Sequence, residues 1–232
     1  MKFLSLDSST KYSVVSILDE NGLIYGQRRF SQKTRYDGLL SLIKSSLSKT
    51  KTQIEALDGL GVGLGPGSFT GLRIGLATIK GLSFALKKPC YCFSSLDAIA
   101  YNEAGLKKTN LCVCVDARRL NIYSRFYKVM PQDKDLKSGI KRISKESLLT
   151  LDSFLKGIGS RTAFSGDAIK NYGRELQKKV HEAQLLAEKF WYPTPESIAR
   201  LTLEQVRLHK PLDCFKLSAR YLYAQDCQVQ RL

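Results

Sequence analysis

The 232-residue sequence predicts an α/β protein built from two similar halves. Short apolar runs of strand length alternate with longer segments of helical periodicity, which is the pattern of mixed sheets flanked by helices. The three-strand pattern that opens the chain recurs in a shorter form near residue 111. Hydrophobic residues make up 43% of the chain, so a sizeable core can form in one large domain or two small ones.

The first half is predicted to contain five strands and three helices. The predicted strands are 3–7, 12–18, 23–30, 60–64 and 89–93. The predicted helices are 34–49, a helix that ends near Leu86, and 96–104. The resulting order, β-β-β-α-β-α-β-α, is that of a ribonuclease-H-like half with a mixed sheet.

The second half begins after a polar stretch at 105–110 and repeats the pattern on a smaller scale. The predicted strands are 111–115, 121–129 and 162–165, and helices follow Ser144 and Ala168. Thr194 and Pro195 are the cap and first residue of a last helix that runs to about His209. We therefore predict halves at 1–105 and 106–210, with a tail from about 211 that returns to the first half.

The most specific motif is the glycine-rich run at 65–75, which lies between the fourth strand and the second helix. A strand, a tight turn and a helix start bring several N–H groups together, which suits an anion or a close backbone approach. The run is neither a P-loop nor a dinucleotide fingerprint, because Thr70 stands where both need glycine. A structural turn with close helix packing is the alternative, and the residues leave both open.

Two predicted strands end in an aspartate beside a turn, at Asp7 and at Asp116. In a duplicated fold such aspartates lie at the cleft between the halves, where they can hold magnesium or orient a phosphate. Each could instead cap its strand end. The residues predicted to lie near a nucleotide or phosphate are Asp7, Ser8, Ser9, Gly65, Gly67, Ser68 and Asp116.

Several kinds of catalysis are disfavoured. The two histidines, His181 and His209, form no metal-binding pattern, and no G-x-S-x-G elbow surrounds Ser68. The six cysteines include two C-x-C pairs within apolar strands, which favours buried free thiols over chelation. We assign no catalytic residue and no metal ligand.

The chain carries 37 basic and 21 acidic side chains, a formal net charge of +16. This excess indicates either attraction to nucleic acid or an acidic partner, or a means of solubility. No apolar run reaches the length of a membrane span and the start is unlike a secretory signal, so a cytoplasmic protein without a membrane partner is expected.

Four segments in this order resemble the TsaB (YeaZ) family of bacterial tRNA threonylcarbamoyladenosine biosynthesis proteins. They are 7–9, 65–75, 116–119 and 166–167. The resemblance implies two ribonuclease-H-like halves of the actin, Hsp70 and sugar-kinase type. It also implies a non-catalytic subunit that supports a TsaD-type transferase, which works with a TsaE-type ATPase on adenosine 37 of ANN-decoding tRNAs. Proteolysis is not implied by these residues.

The resemblance places a partner contact on the first two helices, made with the TsaD-type subunit or, in its absence, with a second copy of the chain. tRNA would be met through the complex, and ATP or ADP with Mg²⁺ is expected only at the complex interface. Small residues along the second helix fit such a contact, or else close packing on their own sheet. The positions implied are Tyr36, Leu39, Leu40, Ile43, Gly71, Ile74, Gly75 and Thr78.

Two features depart from the family pattern: no histidine lies near Tyr36, and the tail at 217–223 lacks the usual proline and final arginine. Two other classes of function stay open. One is an ATP- and Mg²⁺-dependent phosphotransferase that uses the Asp7 and Asp116 cleft. The other is a basic tRNA-binding module.

Overall fold

The computed structural model describes residues 1–30, 38–103, 106, 109–130 and 139–222. Two mixed β-sheets, each flanked by helices, make up this part of the chain. This confirms the predicted fold class of two ribonuclease-H-like halves. The position of the boundary between the halves stays a prediction.

The first sheet has five strands in the order β3-β2-β1-β4-β5. Strands β1 to β3 form an antiparallel meander, and β4 and β5 join β1 in parallel. Asp19 closes the hairpin of β2 and β3 by accepting the N–H groups of Asn21 and Gly22. The strands are Lys2–Asp7, Tyr12–Asp19, Gly22–Phe30, Gly59–Gly63 and Cys90–Phe93.

The second sheet repeats this plan with the order β11-β10-β6-β7-β8, and β9 pairs with β7. Strand β6 pairs antiparallel with β7 and parallel with β10, as β1 does with β2 and β4. Asp7 and Asp116 therefore occupy equivalent places. The strands are Asn110–Arg118, Asn121–Val129, Ile140–Arg142, Ser147–Thr150, Thr162–Ser165 and Gln184–Leu185.

Six α-helices are described. They lie in three layers, which the two sheets separate. Helices α1 and α2 pack on the Leu4 and Leu6 side of the first sheet, and α4 and α5 pack on the outer side of the second. Helices α3 and α6 lie in the core between the sheets. The helices are Gly38–Lys49, Phe69–Leu86, Ser95–Ala100, Leu151–Lys156, Ala168–Lys179 and Pro195–Arg207.

Helix α6 packs against all five strands of the first sheet, although the predicted boundary places it in the second half. The Thr194 cap and Pro195 start it as the sequence predicted. Its Thr202 hydroxyl donates to the Ser5 hydroxyl at 2.8 Å, and the Ser16 hydroxyl donates to the Pro195 carbonyl at 2.7 Å. The tail also returns to the first sheet, where Leu212 forms a bridge with Cys90.

A buried ion-pair cluster centred on Asp97 joins the layers. The Asp97 carboxylate accepts from the Tyr127 hydroxyl at 2.8 Å and forms ion pairs with Arg125 and Arg142. Arg125 also pairs with Glu146. Because a buried carboxylate without these partners would be costly, the cluster fixes α3 against β7 and β8.

Two element predictions need correction. The helix predicted after Ser144 is wrong: 147–150 form strand β9, and the helix begins only at Leu151. The edge of β7 accepts this segment as a ladder, which outweighs its helical spacing. The helix predicted at 96–104 is also corrected: it is an α-helix only at Ser95–Ala100 and continues as one turn of 3₁₀ helix at Tyr101–Glu103.

Helix α2 is long and apolar enough to cross a membrane by length and composition, which the sequence analysis did not expect. Core helices of folded proteins meet the same criterion. Leu72, Leu76 and Ile79 of α2 are buried in the chain.

Candidate functional site

The Asp7 carboxylate is completely buried at the end of β1. Its Oδ1 accepts the Ser9 N–H at 2.8 Å and the Ser9 hydroxyl at 2.7 Å, and its Oδ2 accepts the Ser95 hydroxyl at 2.6 Å. Burial raises the pKa of Asp7, although the hydrogen bonds from Ser95 and Ser9 act in the opposite direction. Both carboxylate oxygens are therefore engaged within the chain itself.

The glycine-rich run is bonded to the turn that follows Asp7. Gly65, at φ +92°, donates its N–H to the Ser95 hydroxyl at 3.1 Å and accepts the Ser95 N–H at 2.9 Å. The Ser68 N–H donates to the Ser9 carbonyl at 2.6 Å. A Cβ at Gly67 would lie 2.2 Å from that carbonyl oxygen, so only glycine permits the contact. These contacts favour the close backbone approach over an anion loop.

The small residues of α2 face the same turn. The Ser68 hydroxyl caps the helix by accepting the Gly71 N–H at 3.2 Å, and the Ser8 hydroxyl donates to the Gly71 carbonyl at 2.8 Å. A Cβ at Gly71 would lie 2.0 Å from the Ser8 carbonyl oxygen, and one at Gly75 would lie 2.3 Å from the Ser8 hydroxyl. The small-residue stripe thus supports close packing on its own chain.

The equivalent aspartate of the second sheet has different partners. Asp116 Oδ1 accepts the Arg118 N–H at 2.8 Å, and Oδ2 accepts the Asn171 side-chain amide at 3.0 Å. The Asp116 N–H donates to the Asp167 carboxylate at 3.0 Å. The Asp116 side chain is 11% exposed. Burial raises the pKa of Asp167, and the nearby charge of Asp116 adds to that rise.

The structure brings Asp7, Ser8, Ser9, Gly65, Gly67 and Ser68 together, whereas Asp116 belongs to its own group with Asp167 and Asn171. Lys11, from the turn between β1 and β2, pairs with Glu188 at 3.0 Å and lies 4.6 Å from the centre of the Tyr192 ring.

The surroundings of Asp7 do not fit a magnesium ion. Its oxygens already accept three hydrogen bonds, and the part of the chain described here holds no group of three His, Cys, Asp or Glu residues that could bind a metal. Two surface cavities, of about 550 and 340 Å³, lie elsewhere: along α5 beside Leu185, and beside Tyr101 and the start of α6. Neither is lined by Asp7 or Asp116.

The positions predicted to contact a partner are divided between core and surface. Leu39, Ile43 and Gly75 are buried against their own chain, so they present no side chain to a partner. Leu40 is 60% exposed, while Gly71, Ile74 and Thr78 are half-buried. Tyr36 lies outside the described residues. An interface made by these residues stays a prediction.

The outer side of α2 and the tail that packs on it carry exposed aromatic side chains that were not expected from the sequence. We call this the α2 aromatic face: Phe69, Phe84, Phe215 and Tyr221. Phe84 and Phe215 are 67% and 72% exposed and meet edge to face at 5.8 Å between ring centres. Phe69 packs on Tyr221 at 5.3 Å, and the Arg73 guanidinium lies 3.7 Å from the centre of the Phe69 ring.

Sequence reasoning also missed Ser95 and Asn171. Ser95 follows β5, and the carboxyl ends of the parallel strands β1, β4 and β5 meet at one edge of the sheet. That rule could have placed Ser95 near Asp7. Nothing local identifies Asn171, which reaches Asp116 from the exposed side of α5.

Comparison with known proteins decides the family. The model of the family described as TsaD, tRNA N6-adenosine threonylcarbamoyltransferase, matches residues 30–221. The TsaB protein of Buchnera aphidicola from Schizaphis graminum is 26% identical over 84% of this chain and 90% of its own length. The chain belongs to the TsaD family, in its TsaB (YeaZ) group.

Other TsaB proteins align over a shorter region. That of Haemophilus influenzae is 31% identical over 53% of this chain and 52% of its own length, so that alignment spans about half of each protein. The solved structure of YeaZ from Pseudomonas aeruginosa is 22% identical, covers 95% of this chain and 99% of its own, and has a TM-score of 0.77. This likeness shows that the fold extends over the whole TsaB architecture.

Proposed function

We propose that this chain is an accessory subunit in the biosynthesis of N6-threonylcarbamoyladenosine in tRNA. Family membership and the printed names of the TsaB relatives support that role. In this proposal a TsaD-type subunit carries out the transfer to adenosine 37 of ANN-decoding tRNAs, and a TsaE-type ATPase acts with the pair. The chain works in the cytoplasm and forms a homodimer when the TsaD-type subunit is absent.

The observation that carries the proposal is the α2 aromatic face. A group of large apolar side chains exposed on a protein surface usually marks a site that another molecule covers. Phe84 and Phe215 meet edge to face in solvent, and Leu40 of α1 is also exposed. Aromatic residues of this kind form the centres of protein interfaces. We assign this face to the TsaD-type subunit.

The surroundings of Asp7 support a non-catalytic role and disfavour the phosphotransferase alternative. A magnesium-binding aspartate needs an accessible lone pair, but Asp7 is completely buried and already accepts three hydrogen bonds from Ser9 and Ser95. Asp7 instead holds the turn on which α2 rests. If ATP or ADP with Mg²⁺ takes part, we expect the complex rather than Asp7 to hold it.

Light scattering on the full chain, with and without the TsaD-type subunit of the same organism, tests the proposal. We expect a homodimer that exchanges into a heterodimer. Phe84→Asp should weaken the heterodimer at least about tenfold, because it places a charge among exposed aromatic rings that the partner would cover. Ile143→Asp is the control, since Ile143 is exposed outside this face.

The transfer reaction supplies the second measurement. The pair should form N6-threonylcarbamoyladenosine in tRNA, and the Phe84→Asp pair should form less. A chain that ignores the TsaD-type subunit, or equal losses for the two variants, would contradict the assigned face. Transfer by this chain alone would contradict the non-catalytic role.

A further inference from the structure

The turn between β6 and β7 has an unusual backbone. Arg118 and Asn121 pair across it, and Arg119 and Leu120 form the two-residue loop, with φ of +51° and +59°. Such loops are normally Asn-Gly or Gly-Gly, because other side chains are strained at positive φ. Arg118 is also at positive φ, +69°. Arg119 and Leu120 therefore make the hairpin less stable than Asn-Gly would, and they place a large basic and a large apolar side chain at its tip.

Asp116 ties this turn to α5. One carboxylate oxygen accepts the Arg118 N–H, and the other accepts the Asn171 side-chain amide. The turn and the first turn of α5 are thus held as one unit. The Arg118 side chain is 86% exposed, and its guanidinium lies 3.6 Å from the Asp116 carboxylate, so Arg119 is the cation of the tip that has no ion-pair partner among the described residues.

Helix α5 continues the positive surface away from the turn. Lys170, Arg174 and Lys178 lie four residues apart, which on an α-helix puts them on one side with a rise of about 6 Å between neighbours. All three are exposed, while Ile169 and Leu176 are buried in the core below. Within the described ranges, no acidic side chain lies in ion-pair distance of these three or of Arg119.

A shallow groove of about 550 Å³ runs beside these cations, between α5 and β11. Asn171 and Gln177 add uncharged polar side chains to its lining, and Glu175 is the acidic residue there. Glu175 lies about 100° around the helix from Arg174 and about 60° from Lys178, so it borders the row of cations on one side. The groove thus offers one amide group on each side of the positive row.

We propose that the β6–β7 turn and the Lys170, Arg174 and Lys178 row of α5 form a contact surface for the phosphate backbone of RNA. The inference rests on the proposed function for the identity of the RNA as tRNA. The surface itself is argued from charge and geometry. Evenly spaced cations fit a polymer whose charges repeat along its length, and arginines and amides donate readily to phosphate oxygens.

An acidic protein is the less suitable partner. Interfaces with proteins have apolar centres, but this surface offers Leu120 as its large exposed apolar side chain. A single unpaired base can stack on an apolar or guanidinium group at such a tip. The net charge of +16 attracts any polyanion, and the row on α5 determines where it binds.

Fluorescence anisotropy of the full chain with a transcribed ANN-decoding tRNA tests the surface over a range of salt concentrations. The triple variant Lys170→Gln, Arg174→Gln and Lys178→Gln should bind at least about tenfold more weakly at low salt, and its salt slope should fall by about two. The control triple, Lys44→Gln, Lys49→Gln and Lys51→Gln, removes the same charge from the first half and should bind almost as the parent does.

A second variant separates binding from folding. Arg119→Asn with Leu120→Gly supplies the residues that the loop geometry prefers, so its thermal midpoint should rise. Its affinity for tRNA should nevertheless fall severalfold, because the tip loses its cation and its apolar side chain. A variant that is both more stable and equally tight-binding would overturn the role of the turn.

The remaining outcomes are also decisive. Equal losses in the two triple variants would show binding by net charge alone, and no binding by the parent chain would overturn the surface. If heparin displaced the labelled tRNA as strongly as unlabelled tRNA does, the surface would bind polyanions in general and the proposal of an RNA site would be wrong. The heterodimer measured with the TsaD-type subunit should be unchanged in the α5 triple, so failure of the surface and failure of the proposed function are distinguishable.

Discussion

The turns that follow β1 and β6 occupy equivalent places in the two sheets, but their aspartates are held differently. Asp7 is sealed by Ser9 and Ser95 and has no exposed surface. Asp116 remains partly exposed and is reached by the side chain of Asn171. In the first half the backbone of α2 touches the turn directly at Gly71, whereas in the second half a side chain spans the distance from α5.

The comparison shows how one fold can serve two purposes. Close backbone contact in the first half makes a rigid base for α2, and the outer side of that helix carries the aromatic face. In the second half side chains of Asp167 and Asn171 join the helix to the turn, and the β6–β7 turn and α5 present cations at the surface. A strand-end aspartate is therefore no evidence for magnesium until its own partners are known.

The largest difference between the two halves is expected in the free energy of unfolding, when the residue that joins each helix to its turn is replaced. Gly71→Ala should lower the free energy of unfolding by about 3 kcal/mol or more, because its Cβ would lie 2.0 Å from the Ser8 carbonyl oxygen. Asn171→Ala should cost about 1 kcal/mol, since water can replace a partly exposed hydrogen bond. Chemical denaturation measures both.

Gly81→Ala is the control for Gly71→Ala, as it lies in the same helix with nothing within 4 Å of its added Cβ. It should stabilise the chain by about 0.5–1 kcal/mol. If Gly71→Ala and Gly81→Ala had similar effects, α2 would not rest on the Ser8 turn as described.

A smaller difference is expected between the aspartates themselves. Asp7→Ala leaves three buried donors without an acceptor and should cost about 2–3 kcal/mol. Asp116→Ala should cost about 1 kcal/mol, because its partners stay within reach of water. Thermal unfolding of the two variants side by side measures this, and equal costs would remove the distinction between the two turns.

The smallest expected effect is a dependence on pH. Because burial raises the pKa of Asp7 above its ordinary value of 3.8, the folded state binds this proton more tightly than the unfolded state. The contribution of Asp7 to stability is therefore fully present below that value and is lost as the pH rises through the pKa of the folded state.

Asp7→Asn removes the titration while keeping the size of the side chain. The advantage of the parent over Asp7→Asn should thus shrink between acidic and neutral pH, as measured by denaturation at several pH values. Gly81→Ala, which does not titrate, should show a constant difference from the parent. An advantage over Asp7→Asn that grew toward neutral pH would mean that the Asp7 pKa is lowered instead.

Much of the fold follows from local patterns. The short apolar runs predict β1 to β7 and β10, and helical spacing with the Thr194 and Pro195 signals predicts α1, α2, α3, α5 and α6. The segment after Ser144 misled because its apolar residues suit a helix, while the free edge of β7 accepts it as a strand. Pairing with a distant edge cannot be read from the segment itself.

The site is less predictable, for a related reason. The glycine-rich run indicates a close approach but does not say by what, and the approaching group proves to be the turn at Ser8 and Ser9. Ser95 meets Asp7 from 88 residues away. The exposed aromatic rings at Phe84 and Phe215 become a face only when the tail is laid along α2.

The contact between α6 and the first sheet also sets an order of events during synthesis. All five strands of that sheet leave the ribosome before Pro195–Arg207, which cover Phe3, Ser5 and Tyr91 on one side of it. That side must stay open to water while the entire second sheet is made. A nascent chain of this kind is a natural client for chaperones, and a fragment that stops at residue 105 should aggregate rather than fold.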